Sequence, residues 1–145
     1  MKISVIIPCY NSEQNIIQVL LSIFSQTLAV HEVIVIDDGS TDQSYQLILN
    51  FKEQHNITNL KLVKQANAGP AAARNHGITL AEGDWIAFLD SDDLWEPEKL
   101  TRQVAFMEAS GCGFSYTEYL TVDEDGRPQG RRFSGPTRIT RAVMR

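Results

Sequence analysis

Residues 85–93 are Trp85-Ile86-Ala87-Phe88-Leu89-Asp90-Ser91-Asp92-Asp93, an apolar run that ends in three carboxylates. The apolar part follows the turn residues Gly83 and Asp84 and predicts a buried β-strand. Carboxylates at the end of a buried strand repel one another unless a cation compensates, and Mg²⁺ and Mn²⁺ prefer carboxylate oxygen. In extended backbone Asp90 and Asp92 project to the same side, so the pattern predicts a divalent metal site. A solvated acidic turn is the alternative interpretation of this stretch alone.

The rest of the chain alternates between strand and helix patterns joined by short connections. The other predicted strands are Lys2 to Pro8, Glu32 to Ile36, Leu60 to Lys64 and Gly113 to Val122. Two predicted helices follow the capping residues Asn11 and Ser40, and two more start near Pro70 and Pro97. Repeated strand–helix–strand units indicate an α/β fold, with a mostly parallel sheet and helices on both faces.

Polar clusters follow three of these strands, at the edge where parallel sheets bind ligands. The clusters are Cys9-Tyr10-Asn11, Asp37-Asp38-Gly39-Ser40 and Asp90-Ser91-Asp92-Asp93. Helix capping explains Asn11 and Ser40, but it does not explain why Tyr10 and five aspartates occur in these clusters. A tyrosine ring can stack on a nucleobase, and a carboxylate at Asp37 or Asp38 can accept a hydrogen bond from base or ribose. Arg74 can pair with phosphate or with the acidic cluster. Taken singly, these residues are also compatible with rim packing, turns and a surface charge.

The composition is that of an ordinary globular domain, with 145 residues, 43% hydrophobic and 21% charged. A net charge of −5 argues against a nucleic-acid partner. The glycine-rich phosphate-binding motifs of dinucleotide-binding and P-loop proteins do not occur. No apolar stretch approaches the roughly 20 residues that span a bilayer, and no signal peptide pattern precedes the first strand. We therefore expect a cytoplasmic protein, with peripheral association at the inner face of the membrane left open.

Four motifs together resemble the family 2 glycosyltransferases, which are inverting enzymes with the Rossmann-like GT-A fold. The motifs are Val5-Ile6-Ile7-Pro8-Cys9-Tyr10-Asn11, Val33-Ile34-Val35-Ile36-Asp37-Asp38-Gly39-Ser40-Thr41-Asp42, Asn67-Ala68-Gly69-Pro70-Ala71-Ala72-Ala73-Arg74-Asn75 and Phe88-Leu89-Asp90-Ser91-Asp92-Asp93. Each motif is weak alone, but all four occur in order on the expected elements. The resemblance implies a nucleotide-diphosphosugar donor, usually a UDP-sugar, a Mn²⁺ or Mg²⁺ ion, and a glycan, lipid or protein acceptor.

The resemblance also assigns roles to individual residues. The implied donor-binding residues are Pro8, Tyr10, Asn11, Asp37, Asp38, Arg74, Asp90, Ser91 and Asp92, and the implied metal ligands are Asp92, Asp90 and Asp93. Within this set Tyr10 would stack on the base and Asp38 would contact the base, with Asp37 as a neighbouring candidate. Asp90 and Asp92 match the Asp-x-Asp motif, and Asp92 is the expected direct metal ligand.

The catalytic base is where the chain departs from the family pattern. The family places this Asp or Glu in an acceptor-side half, so we expect the base beyond Arg145. The chain therefore looks like a truncated donor half, with a donor-binding domain at residues 1–126. Residues 127–145, which contain six of the 13 Lys and Arg residues, would be a basic segment that starts the acceptor side. Apolar surface left uncovered would favour self-association. The alternatives are a nucleotide-sugar-binding module without transfer activity and a sugar-phosphate nucleotidyltransferase.

Overall fold

The computed structural model describes residues 1–123 and 127–133, and for residues 130–133 it describes the backbone only. The elements are β1 (Ile3–Cys9), α1 (Ile16–Phe24), β2 (Glu32–Asp37), α2 (Ser44–Gln54), β3 (Leu60–Lys64), α3 (Pro70–Leu80), β4 (Trp85–Phe88), α4 (Lys99–Ser110), β5 (Tyr119–Val122) and β6 (Pro128–Phe133). They fall into two compact units, Met1–Thr101 and the residues from Arg102 onward. Residue 126, which ends the predicted donor-binding domain, and most of the predicted basic segment lie outside the described residues.

The first unit is built on a four-stranded sheet with the order β3-β2-β1-β4, in which every neighbouring pair is parallel. From β1 the chain adds β2 and β3 on one side and then places β4 on the other side of β1. Right-handed crossovers therefore put α1 and α2 on one face of the sheet and α3 on the opposite face. α3 packs on β1 and β2, and α1 packs on α2. The predicted parallel α/β sheet with helices on both faces is confirmed.

The two central strands, β1 and β2, are buried along their whole length because helices cover both faces of the sheet. Ile6, Ile34 and Ile36 form a fully buried cluster with Ala73 of α3. Gly77 allows this close approach of α3, because a Cβ atom at that position would lie 2.4 Å from Cγ2 of Ile6. The close packing gives the carboxyl ends of the strands a fixed position, and the polar rim is built on these ends.

The first two helices begin later than the capping pattern predicts. Asn11 has a φ of 47°, in the left-handed region, and α1 begins only at Ile16. α2 begins at Ser44, whose N–H donates to Oδ1 of Asp42 (2.9 Å) rather than to Ser40. The predicted caps are wrong because Asn11 and Ser40 bond to partners 29 or 30 positions away in the sequence. A local capping pattern cannot show a contact of that kind.

The second unit contains most of α4 and a two-stranded antiparallel sheet of β5 and β6. The strand predicted from Gly113 to Val122 exists only at its end, Tyr119–Val122, where β6 supplies a hydrogen-bonding partner. Just after β5, the N–H of Asp123 donates to the carbonyl oxygen of Arg127 at 2.9 Å. In the described part of the chain, no helix is long and apolar enough to cross a membrane.

Candidate functional site

Three loops meet at the carboxyl edge of the parallel sheet, as the sequence predicts. They follow β1, β2 and β4, and β1 lies between the other two strands. The N–H of Asp38 donates to the carbonyl oxygen of Cys9 at 2.8 Å, which joins the first two loops where they leave the sheet. The strand order reverses between β1 and β4, and open α/β sheets bind their ligands at such a point.

Tyr10 is the exposed aromatic side chain of this rim. It follows the buried Cys9, and 50% of its surface is accessible. Oδ1 of the next residue, Asn11, accepts the N–H of Thr41 at 2.8 Å, and the N–H of Asn11 donates to Oγ of Ser40 at 3.1 Å. Asn11 therefore braces the first loop against the second, and the Tyr10 ring is presented to solvent.

Ser12 and Ser91 connect the loop after β1 to the acidic turn after β4. Their hydroxyl oxygens are 2.6 Å apart. The Ser12 hydroxyl also lies within hydrogen-bond distance of the carbonyl oxygen of Tyr10 (3.2 Å). Ser12 is also held from the other side, because its N–H donates to Oγ of Ser44 at 2.8 Å. The position of the acidic turn is thus tied to the loop that carries Tyr10.

The acidic residues form a tight turn instead of the extended backbone expected from the sequence. The N–H of Asp93 donates to the carbonyl oxygen of Asp90 at 3.2 Å, so the extended backbone predicted from Asp90 to Asp92 is wrong. Arg74 of α3 forms an ion pair with Oδ1 of Asp90, which is one of the two pairings predicted for this arginine. Burial raises the pKa of Asp93, and the negative charges of Asp92 and Asp90 raise it further. The three carboxylates are therefore close enough to repel one another.

The acidic turn fits a divalent ion that shares its coordination with a bound ligand. Within residues 1–123 and 127–133, no three or more His, Cys, Asp or Glu side chains are grouped so that they could hold a metal by themselves. Mg²⁺ commonly takes only one or two carboxylates and completes its shell with water and substrate phosphates, and Mn²⁺ accepts the same oxygen ligands. Asp90 and the exposed Asp92 offer such a partial set. A cation there would also relieve the repulsion that raises the pKa of Asp93.

Asp38 is buried in the rim and holds the loop that leads into α3. Only 3% of its surface is exposed. Its carboxylate accepts hydrogen bonds from Nε2 of Gln65 (2.7 Å) and from the N–H groups of Ala68 (2.9 Å) and Gly69 (2.8 Å). Burial acts to raise the pKa of Asp38, but these three donors outweigh it and the pKa is lowered. Asp38 therefore has a structural role that the sequence analysis missed, and its contact with a nucleobase stays a prediction.

Two residues of the predicted donor-binding set are inside the protein. Asp37, the last residue of β2, has 0% exposure, and Pro8 is buried within β1. Neither carboxylate oxygen of Asp37 accepts a hydrogen bond from the described residues, and its nearest cation is Nζ of Lys64 at 4.0 Å. The Asp37 side chain therefore has no surface open to a ligand in this structure, and the donor contacts of Asp37 and Pro8 stay predictions.

The segment that follows the acidic turn carries a stacked pair that sequence reasoning did not find. Nζ of Lys99 lies 3.7 Å from the centre of the Trp95 ring. Burial lowers the pKa of Lys99 to about 8. The N–H of Trp95 donates to Oγ of Ser22 at 3.3 Å, which fastens the segment to α1. The one sequence signal for this arrangement is an aromatic residue shortly after the acidic motif.

A parallel α/β sheet with polar loops at its switch point belongs to the open α/β proteins, which bind their ligands at this edge. The sequence profile described as glycosyl transferase family 2 matches residues 4–143. The chain belongs to this family.

Two solved structures share the fold. TarS of S. aureus, residues 1–349 in complex with UDP, is 39% identical with a TM-score of 0.67, over 75% of this chain and 32% of that one. The mannosyltransferase PcManGT from Pyrobaculum calidifontis, in complex with GDP-Man and Mn²⁺, is 30% identical with a TM-score of 0.69, over 73% of this chain and 32% of that one. The predicted GT-A fold is thereby confirmed.

Relatives known from sequence are longer than this chain. WfaP of Escherichia coli, a UDP-Glc:alpha-D-GlcNAc-diphosphoundecaprenol beta-1,3-glucosyltransferase, is 37% identical over 142 residues, which are 98% of this chain and 55% of WfaP. The chain spans between 18% and 55% of the length of eight curated relatives that match it.

Proposed function

We propose that this chain forms the donor-binding part of a glycosyltransferase that uses a UDP-sugar and a divalent metal ion. The observation that carries the proposal is the hydrogen bond between Ser12 and Ser91, which joins the Tyr10 loop to the acidic turn where the strand order reverses. An exposed ring for the base and carboxylates for a metal-bound diphosphate thereby belong to one rim. The UDP complex of TarS and the UDP-Glc in the name of WfaP support a uridine donor. The Mn²⁺ in the PcManGT complex supports the metal.

Each residue of the rim has a defined task in the proposed complex. The Tyr10 ring stacks on the uracil, a contact typically worth about 1–3 kcal/mol. Asp38 accepts a hydrogen bond from the base while it holds the loop before α3. Asp92 and Asp90 hold Mn²⁺ or Mg²⁺, and Arg74 beside Asp90 offsets part of the negative charge of the turn. The rim would thus bind both ends of the nucleoside diphosphate.

The proposed reaction is an inverting sugar transfer. An acceptor hydroxyl attacks the anomeric carbon from the side opposite the diphosphate, and the bond from that carbon to the diphosphate oxygen breaks. The metal ion supplies stabilisation of the negative charge on the departing diphosphate. A general base takes the proton of the hydroxyl, and we assign this base to none of the described residues. A glycan hydroxyl is the proposed acceptor, supported by the lipid-linked GlcNAc in the name of WfaP.

A binding experiment tests the proposal. UDP is titrated into the full 145-residue chain by calorimetry, with Mn²⁺ and with EDTA. We expect UDP to bind at least about tenfold more tightly with Mn²⁺, because an ion held by Asp90 and Asp92 would offset the negative charge of the diphosphate. Equal affinity in the two conditions would contradict the metal site, and absence of UDP binding in both would contradict the donor site itself. Inosine monophosphate serves as a control ligand without a pyrimidine base or a diphosphate.

A further inference from the structure

The segment behind the acidic turn, residues 95–100, is held by the end of α1 and the residues that follow it. The N–H of Thr27 donates to the carbonyl oxygen of Pro97 at 2.9 Å. Oγ of Thr27 and Oγ of Thr101 are 2.7 Å apart. Together with the bond from Trp95 to Ser22, these contacts fasten the segment at several points along its length.

Gln26 makes the densest set of these contacts. Its Nε2 donates to the carbonyl oxygens of Glu96 (2.7 Å) and Ser22 (3.1 Å), and its Oε1 accepts the N–H of Leu100 (3.0 Å). Only 8% of Gln26 is exposed. Both ends of its amide are therefore used, and removing the amide would leave backbone groups of the segment without partners in a largely buried place.

We infer that Gln26 is a positioning residue for the metal end of the donor site, an inference that rests on the proposed function. The acidic turn is fixed at its start by β4 and by the bond between Ser12 and Ser91. Its exit is fixed by the segment that Gln26 holds. Asp92 and Asp93 lie between these two supports, so loosening the exit frees their carboxylates. The Tyr10 loop leaves β1 directly and does not depend on Gln26.

The test compares Gln26→Ala and Gln26→Glu with wild type in the full chain. Gln26→Glu keeps the shape and the acceptor for the N–H of Leu100 but removes the donor to the carbonyl oxygen of Glu96. Gln46→Ala is the matched control, because Gln46 is exposed on α2 and, among the described residues, its side chain bonds only to Asn50. Calorimetry gives UDP affinity with Mn²⁺ and with EDTA, uridine affinity is followed by NMR, and thermal unfolding gives the melting temperature.

In the presence of Mn²⁺, we expect both Gln26 variants to bind UDP about fivefold or more weakly than wild type. This is the effect expected from removing one or two hydrogen bonds. Uridine affinity should stay within about twofold of wild type, because uridine has no phosphate for the metal, and Gln46→Ala should match wild type in every measurement. An unchanged Mn²⁺ effect in a folded Gln26 variant, or equal losses for UDP and uridine, would overturn the inference.

Two further outcomes separate failure of the proposed metal site from failure of the positioning role of Gln26. If wild type shows no Mn²⁺ effect on UDP, the proposed metal site fails, whereas a Mn²⁺ effect equal in wild type and in the Gln26 variants defeats only the positioning role. If Gln26→Ala does not fold, Gln26→Glu and Ser22→Ala test the positioning role instead. Ser22→Ala removes the acceptor for the N–H of Trp95 and the bond to the carbonyl oxygen of Val19, so a smaller loss of the Mn²⁺ effect is expected from it. No loss in either variant would overturn the inference.

Discussion

The hydroxyl groups of Ser12 and Ser91 lie 2.6 Å apart although 79 positions separate the two residues in the sequence. β1 and β4 are parallel neighbours, so the loops that follow them leave the sheet at the same edge. One loop carries Tyr10 and the other carries the aspartates. The two ends of the proposed donor site are therefore joined by a direct hydrogen bond, and a change at one serine should be felt at both ends.

Asp92→Asn should abolish most of the effect of Mn²⁺ on UDP affinity while leaving the fold intact. The substitution keeps the shape of the side chain but removes the charge that a hard cation requires. Calorimetric titration of UDP with Mn²⁺ and with EDTA measures the effect. Asp84→Asn is the matched control, because Asp84 is an exposed aspartate just before β4 whose carboxylate, within the described part of the chain, accepts only the N–H of Lys2. A Mn²⁺ effect that survives in Asp92→Asn would rule out Asp92 as the metal ligand.

Tyr10→Ala should weaken UDP binding by about 1–3 kcal/mol through the loss of base stacking. Tyr10→Phe keeps the ring, so it should bind UDP nearly as well as wild type. Both variants should retain the wild-type ratio of affinities with Mn²⁺ and with EDTA, because Tyr10 is not among the proposed metal ligands. Equal UDP affinity in Tyr10→Ala and wild type would show that the base binds elsewhere.

Asp38→Asn should lower the free energy of unfolding by about 1–3 kcal/mol at pH 7, measured by urea denaturation. The amide that replaces the carboxylate turns one acceptor into a donor, which faces the N–H groups of Ala68 and Gly69 or the amide of Gln65. Because the pKa of Asp38 is lowered in the folded state, its contribution is present above the ordinary value of 3.8 and is lost as the pH falls below it. The difference between wild type and variant should therefore shrink at acid pH. A difference that is constant with pH would exclude this electrostatic origin.

Glu32 should make the fold sensitive to acid from the opposite edge of the sheet. Burial acts to raise the pKa of Glu32, but hydrogen bonds from Ser4 and the N–H of Glu82, together with Lys61, lower it from 4.5 to about 2. A carboxyl with a lowered pKa stabilises the fold above its unfolded pKa, so this contribution is lost as the pH falls from 4.5 to about 2. We expect this carboxylate to contribute roughly 3 kcal/mol to the free energy of unfolding at neutral pH.

The measurement for Glu32 is the free energy of unfolding of Glu32→Gln against pH. The loss relative to wild type should be largest above pH 4.5 and should vanish towards pH 2. Glu82→Gln is the control: Glu82 bonds to the same Lys61 with a side chain that is 70% exposed, and it should change stability by less than about 1 kcal/mol. Equal effects of the two substitutions would show that burial of Glu32 does not matter.

The strands of the parallel sheet could be predicted to within one or two residues. Each is a short apolar or β-branched run between turn residues, and such a run is a local property of the chain. β5 was predicted six residues too long, because pairing along Gly113 to Val122 depends on a partner strand and not on the residues of the strand itself. The helix caps at Asn11 and Ser40 failed for a related reason, since both side chains bond across two loops.

The sequence by itself determined the α/β class, the family motifs and the presence of an aromatic residue and aspartates at one edge of the sheet. These features follow from local patterns and from the rule that parallel strands end together. Only the tertiary structure decided that Asp37 is buried, that Asp38 holds a loop, and that Gln26 bonds to the segment behind the acidic turn. Local patterns leave these questions open. The burial of a side chain and its distance to a partner many positions away are fixed only when the sheet, its loops and its helices have packed.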